Sequence, residues 1–187
     1  MRVIGGIHRG RRLVTVGGLA VRPTSDRLRE TLFNILAPQI RGTRFLDICA
    51  GSGAVGIEAL SRGASEVTFI ERSRHACAVI EANLASLGIS QATIIKQDAA
   101  DSLKKLARES ALFDIAFFDP PYASEIYAEV MDQLGSGEVL TPEALVIVEH
   151  RVKTPTVPQY GSLRTFREVK QGESALAFFR KVTHTSQ

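Results

Sequence analysis

The chain is poor in the features that mark several large protein classes. It has no tryptophan, two cysteines and two methionines in 187 residues. The cysteines, Cys49 and Cys77, both sit inside apolar patterns. Two are too few for a disulfide-stapled scaffold, and neither spacing suits a metal site, so a reduced cytoplasmic setting is expected. No run approaches the roughly eighteen apolar residues that cross a bilayer. The first twenty residues lack the apolar core of a signal peptide. No membrane partner is therefore expected, and no repeat or low-complexity tract is visible. Lysine is missing from the first 44 residues, where all nine cations are arginine.

What is present is ordinary for a globular chain: 44% hydrophobic and 23% charged residues. That composition argues against disorder and collagen-like repeats. At this length one domain is the default, able to bury about 70% of its unfolded surface. The net charge of +3 conceals an asymmetry. Arg2, Arg9, Arg11, Arg12, Arg22, Arg27, Arg29, Arg41 and Arg44 face only Asp26 and Glu30 in the first 44 residues, a surplus of seven. The remaining 143 residues carry 14 basic and 18 acidic groups. An arginine-only arm on a mildly acidic body favours planar, bidentate contacts with phosphate.

Residues 2–4 and 13–16 read as short strands about a glycine- and arginine-rich turn at 5–12. Thr24 or Ser25 then caps a helix with Asp26 in its first turn. Leu28, Leu32, Ile35 and Leu36 give that helix an apolar stripe, Pro38 ends it, and its other face bears arginine. From residue 43 strands alternate with helices. Strands are expected at 43–48, 66–70, 92–96, 113–118 and 144–149. Helices fill the gaps: one ending near 62, then 73–87 stopped by Gly88, 99–110 and 125–134. Short joins in strand–helix alternation predict an α/β protein with a parallel, doubly wound sheet. The end departs from that pattern. Residues 154–158 hold two prolines and read as a loop, and 163–169 with 175–181 read as an antiparallel hairpin. The expected organisation is a basic hairpin-and-helix extension over 1–42, an α/β domain over 43–182 and a frayed tail at 183–187.

Two loops carry the chemistry. In Asp47-Ile48-Cys49-Ala50-Gly51-Ser52-Gly53-Ala54-Val55-Gly56 the glycines fit G-x-G-x-x-G where the first parallel strand turns into a helix. Glu71 follows Gly51 by twenty residues, at the end of the next strand. Spacing alone satisfies a dinucleotide fingerprint, which keeps an NAD-linked oxidoreductase open. Asp47 weighs against it, because an acid near the turn repels a pyrophosphate. The same acid suits the cationic methionine portion of S-adenosylmethionine. Glu71 accepts from ribose hydroxyls on either reading, and Asp98 in Gln97-Asp98-Ala99 is placed to accept from an adenine amine.

The second loop is Asp119-Pro120-Pro121-Tyr122, after the fourth strand. Two prolines fix φ and remove two backbone donors, leaving rigid carbonyl acceptors beside a carboxylate. Asp119 and the Pro120 carbonyl are suited to holding the two hydrogens of an exocyclic amine. The Tyr122 ring is suited to stacking on the base, worth about 1–3 kcal/mol. Such an amine is a poor nucleophile until its lone pair is freed from the ring, so positioning and electrostatics carry the rate.

With both loops in view the sequence resembles the class I S-adenosylmethionine-dependent methyltransferases. More narrowly it is similar to the RsmD family of small-subunit (16S) rRNA guanine-N2 methyltransferases. The resemblance runs through Arg2-Val3-Ile4-Gly5-Gly6, Arg9-Gly10-Arg11-Arg12 and Arg22-Pro23-Thr24-Ser25-Asp26-Arg27-Leu28-Arg29-Glu30-Thr31-Leu32-Phe33-Asn34. It continues in the glycine loop, in Glu58-Ala59-Leu60-Ser61-Arg62-Gly63-Ala64 and in Asp119-Pro120-Pro121-Tyr122. It implies a Rossmann-like, seven-stranded, mostly parallel sheet with an antiparallel last strand. It implies S-adenosylmethionine as cofactor, with Asp47, Gly51 and Gly53 on its methionine side, Glu71 on the ribose and Asp98 on the adenine. Ala50, Ser52, Arg72 and Ala99 complete the candidate cofactor set. Asp119, Pro120, Pro121 and Tyr122 are the candidate catalytic loop. The substrate implied is rRNA. With no separate recognition domain, a base already exposed within an assembling small subunit is the expected target, and a monomer is expected. Arg2, Arg9, Arg11, Arg12, Arg22, Arg27 and Arg29 are the candidate RNA contacts, giving salt-dependent affinity. Arg22 or Thr24 is also a candidate for closing the cofactor pocket. A DNA adenine-N6 or cytosine-N4 methyltransferase shares Asp-Pro-Pro-Tyr-like loops, and a non-catalytic RNA-binding module is a third reading.

Overall fold

The computed structural model describes residues 1–17, 25–120, 126–154 and 156–182. Arg22, Thr24, Pro121, Tyr122 and the tail at 183–187 lie outside the described residues. The backbone groups into two units, divided after Asp98.

In the first unit helix α1 (Asp26–Leu36) starts at Ser25, whose Oγ accepts from the Leu28 N–H at 3.1 Å. That bond satisfies one of the helix's orphan donors. Leu28, Leu32, Phe33 and Leu36 are buried, while Ile35 is only half-buried. Strands β1 (Arg44–Ile48), β2 (Glu66–Ile70) and β3 (Ala92–Ile95) pair in parallel in the order β3-β2-β1. Arg44 stands opposite Glu66, and Val67 opposite Ala92.

Helices α2 (Ala54–Ser61) and α3 (Arg74–Leu87) connect these strands. Every residue of α2 is buried, as a helix apolar nearly all round requires. Its approach to β2 has a specific cause. A Cβ at Gly56 would come within 2.3 Å of the Phe69 ring, so a larger residue there would push helix and strand apart. Helix α3 begins at Ser73, whose Oγ accepts from the Ala76 N–H at 3.3 Å, and ends at left-handed Gly88 (φ 67°).

The arm differs from the expected two strands. It keeps one antiparallel bridge, Arg2 with Arg12, and the Val3 N–H donates to the Arg11 carbonyl at 3.0 Å. Other backbone groups that a strand partner would have satisfied are bonded instead to side chains of Glu58, Ser61 and Asn83.

The second unit holds helices α4 (Ala99–Arg108) and α5 (Ile126–Ser136) and strands β4 (Phe113–Phe118), β5 (Leu140–Arg151), β6 (Gln159–Tyr160), β7 (Leu163–Gln171) and β8 (Ser174–Lys181). The order is β4-β5-β8-β7-β6, with β4 and β5 parallel and the remaining pairs antiparallel. Val146, Ile147 and Val148 are fully buried in β5, each worth about 1.5–3 kcal/mol on removal from water. β5 extends well past the expected 144–149, because Leu140 pairs with Phe113 at one end and Arg151 with Ser174 at the other. Two-residue β6 was not expected. The α/β class, the parallel strands and the antiparallel finish stand, with eight strands rather than seven. No helix among the described residues is long and apolar enough to cross a membrane.

Candidate functional site

The turn from β1 into α2 is built from unusual backbone. Cys49, Gly51 and Gly53 all have positive φ (63°, 56° and 75°). For a non-glycine residue such as Cys49 this conformation costs about 1–2 kcal/mol. The Gly53 N–H donates to the Ala50 carbonyl at 2.8 Å, and the Ala50 N–H to the Ile70 carbonyl at 3.1 Å. Glu71 fixes the turn from the next strand: Oε2 accepts from the Gly51 N–H at 2.9 Å and Oε1 from the Ser73 N–H at 2.8 Å. A Cβ at Gly51 would meet nothing within 4 Å, so the turn borders open space on that side.

Asp47 is where the geometry shifts a role. Its Oδ2 accepts from the Gly56 N–H at 2.8 Å, and it is 2% exposed. It therefore holds the first turn of α2 rather than standing open at the surface. Burial pushes its carboxyl up to about 7; the Gly56 bond pulls the other way, and the Glu71 charge adds to the rise. The structure thus gathers Asp47, Ala50, Gly51, Ser52, Gly53 and Glu71 about one turn. Arg72 follows, exposed. Asp98, half-buried, closes the first unit, and buried Ala99 opens α4 in the second. Glu71 on the Gly51 N–H, with the Asp47 acid buried at the same turn, makes this turn a poor fit for a pyrophosphate.

In the second unit Asp119 and Pro120 follow β4 and are half-buried. Aromatic packing holds their surroundings. Phe118 stacks on Tyr127 at 5.8 Å between centroids, Tyr127 meets Tyr160 at 6.0 Å, and Tyr160 meets Phe179 at 6.0 Å. This row ties the last residue of β4 to the first turn of α5, the two ends of the segment that carries Pro121 and Tyr122. Burial raises the Tyr127 hydroxyl well above its ordinary pKa, so it stays protonated.

The arginines of the arm divide. Arg2, Arg9, Arg11, Arg12 and Arg27 are exposed, and Arg11 donates to the Ser86 carbonyl at 2.8 Å. Arg29 corrects the expectation of an RNA contact. Its side chain is fully buried and donates to the Arg2 carbonyl at 2.6 Å and to Asp26 at 3.0 Å, with Glu58 at 3.9 Å. Burial pushes its guanidinium pKa down, and the two carboxylates oppose that. A guanidinium so enclosed ties arm to helix and does not face a phosphate.

Along residues 1–180 the chain matches the family model described as conserved hypothetical protein 95. The chain belongs to this family. It is 40% identical over 183 residues to ribosomal RNA small subunit methyltransferase D of Escherichia coli, covering 97% of this chain and 90% of that protein. The Haemophilus influenzae protein of the same name is 39% identical over 159 residues, covering 84% and 82%. A solved Escherichia coli structure, yhhF, whose own assignment as a methyltransferase is provisional, superposes with a TM-score of 0.83 at 39% identity, covering 97% of each chain.

Three buried polar residues of this family member escaped the sequence reading. Glu58 accepts from the Ile4 N–H at 2.8 Å and, through Oε1, from the Gly5 N–H at 2.7 Å and Arg62 Nε at 2.8 Å. Ser61 donates to the Gly5 carbonyl at 2.6 Å, and its carbonyl accepts from the Ile7 N–H at 2.8 Å. Asn83 takes both backbone groups of Val14 (2.8 and 3.0 Å) and donates to the Ser52 carbonyl at 3.1 Å. The arm is therefore anchored to α2, and through Asn83 to the glycine turn itself. The available signal was a charged residue in a helix otherwise apolar all round.

Proposed function

We propose that this protein is an S-adenosylmethionine-dependent methyltransferase that acts on the exocyclic N2 amine of a guanine in small-subunit rRNA. The reading places it in the cytoplasm, as a monomer acting on an assembling small subunit. The observation that carries it is the carboxylate-flanked turn, with Glu71 on the Gly51 N–H, Asp47 buried nearby and open space beside Gly51. The names carried by the Escherichia coli and Haemophilus influenzae relatives support the rRNA substrate.

Gly51 supplies close backbone approach, Gly53 the left-handed backbone that completes the turn, Glu71 accepts from ribose hydroxyls, and Asp98 accepts from the adenine amine. Asp47 supplies negative potential toward the methionine portion while holding α2 in register. S-adenosylmethionine, when bound, supplies a methyl group on a sulfonium. Asp119 and the Pro120 carbonyl accept the two hydrogens of the target amine. Holding both hydrogens favours a pyramidal nitrogen whose lone pair is free of the ring. Tyr122 stacks on the base, and Arg2, Arg9, Arg11, Arg12, Arg22 and Arg27 contact phosphates of the substrate. The base must be unstacked before it can be reached.

The test offers tritiated S-adenosylmethionine with rRNA and with partly assembled small subunits. Label in guanine N2 is expected. Label in DNA, or stabilisation by NAD and not by S-adenosylhomocysteine, overturns the reading. Asp119→Ala is expected to lower kcat by roughly 10²–10⁴-fold with cofactor affinity unchanged. Loss of cofactor binding in that variant would remove Asp119 from its role.

A further inference from the structure

Strands β7 and β8 carry a cationic, aromatic surface outside the N-terminal arm. Arg164 stands directly opposite Arg180 across the pair, and Arg167 opposite Phe178. Between Thr165 and Arg167 the register shifts, and Phe166 falls at that irregularity, 50% exposed. Bulges of this kind re-aim a side chain out of the alternation. The Arg180 guanidinium lies 4.5 Å from the centroid of the Phe166 ring, and Arg167 lies 5.8 Å from that of Phe178. The two rings meet edge to face at 6.3 Å.

Like charges directly opposite on neighbouring strands destabilise a sheet. Here no compensating acid accompanies them: among the described residues no carboxylate pairs with Arg164, Arg167 or Arg180. Glu168, the acid within β7, is engaged by His150 and Lys170, each at 3.3 Å. Phe166 carries a separate cost, because half of its apolar ring stays in water and the Arg180 guanidinium covers it only in part. One kind of ligand lowers both costs: a flexible polyanion whose units carry flat rings. Unpaired bases stack on aromatic or guanidinium planes while arginines follow the phosphates.

We propose that Arg164, Phe166, Arg167 and Arg180 form a second RNA-binding surface that holds a single-stranded nucleotide of the rRNA substrate, with Phe166 under its base. This rests on the rRNA reading above. The surface supplies affinity and orientation, separately from the cofactor turn and from Asp119.

The experiment measures the Kd for purified small-subunit rRNA over a series of salt concentrations, the KM for methyl transfer and the melting temperature. Phe166→Ala weakens RNA binding roughly tenfold, and Phe166→Tyr restores it. Arg164→Ala relieves the opposed charges, so it does not lower the melting temperature, yet it weakens RNA binding and reduces the salt slope by about 1. S-adenosylmethionine affinity stays unchanged in all three. RNA affinity indifferent to Phe166→Ala, with the arginine effect intact, marks a merely cationic surface and overturns the stacking site. An unchanged salt slope in Arg164→Ala overturns the phosphate contacts. If the wild-type chain labels rRNA and every variant matches it, this surface falls alone. If the wild-type chain labels no rRNA, the substrate reading falls and takes this surface with it.

Discussion

Helix α2 is served by two buried carboxylates whose surroundings could hardly differ more. Glu58, midway along it, meets the Ile4 and Gly5 N–H groups and the Arg62 guanidinium, with Arg29 close by. Asp47, at its N-terminal end, meets the Gly56 N–H, and its pKa is raised to about 7. The first acid is compensated by the protein itself and is part of the architecture. The second is undercompensated, and on the proposed reading that is what favours the positive charge of S-adenosylmethionine at this turn.

The comparison breaks first at Glu58. Glu58→Ala removes the acceptor for two backbone donors and leaves Arg29 facing only Asp26 inside the protein. A loss of about 3–5 kcal/mol is expected, read as a lower urea midpoint. A loss below about 1 kcal/mol would show that the arm does not depend on this acid. Asn83→Ala comes next. It strips both backbone groups of Val14 and the Ser52 carbonyl of a partner, an expected cost of about 1–3 kcal/mol. Calorimetry would record it, with weaker cofactor binding as its mark on the turn.

Asp47→Asn sharpens the contrast with the smallest effect on the ligand-free fold. The folded carboxyl, at about 7, lies above the unfolded value of 3.8. The folded state therefore holds the proton more tightly, and the stability this contributes is fully present below the unfolded value. It is lost as pH rises through the folded value. Melting temperatures of Asp47→Asn should lack that decline between pH 4 and 7, and should equal or exceed the wild type at pH 8. Its affinity for S-adenosylmethionine should fall roughly tenfold. A destabilised variant at pH 8 would mean Asp47 is architectural like Glu58.

Much of this was legible beforehand, for a physical reason. β2 and β4 fall at their expected residues because short apolar runs bounded by turn formers allow little else. Gly88 stops α3 because its left-handed backbone suits glycine. The glycine turn and Glu71 are close in space because parallel strands bring their C-terminal ends together, as Asp47 opposite Phe69 and Ile48 opposite Ile70 show. What stayed hidden depends on long-range partners. An arginine on a helix reads as exposed, and nothing local reveals that Arg29 is enclosed between Asp26, Glu58 and the Arg2 carbonyl. The arm reads as a hairpin because the pattern cannot show that side chains of Glu58 and Asn83 replace a strand. β6, two residues long, is too short to carry a period.

The aromatic row has an optical consequence. The chain has no tryptophan and three tyrosines. Tyr127 and Tyr160 belong to the row beginning at Phe118, and Tyr122 lies four residues beyond that phenylalanine. All tyrosine emission of the protein thus comes from Tyr122 and from two members of that row. Unlabelled protein carries its own lamp there, and a titration watched by tyrosine fluorescence would view the Asp119 segment without a dye.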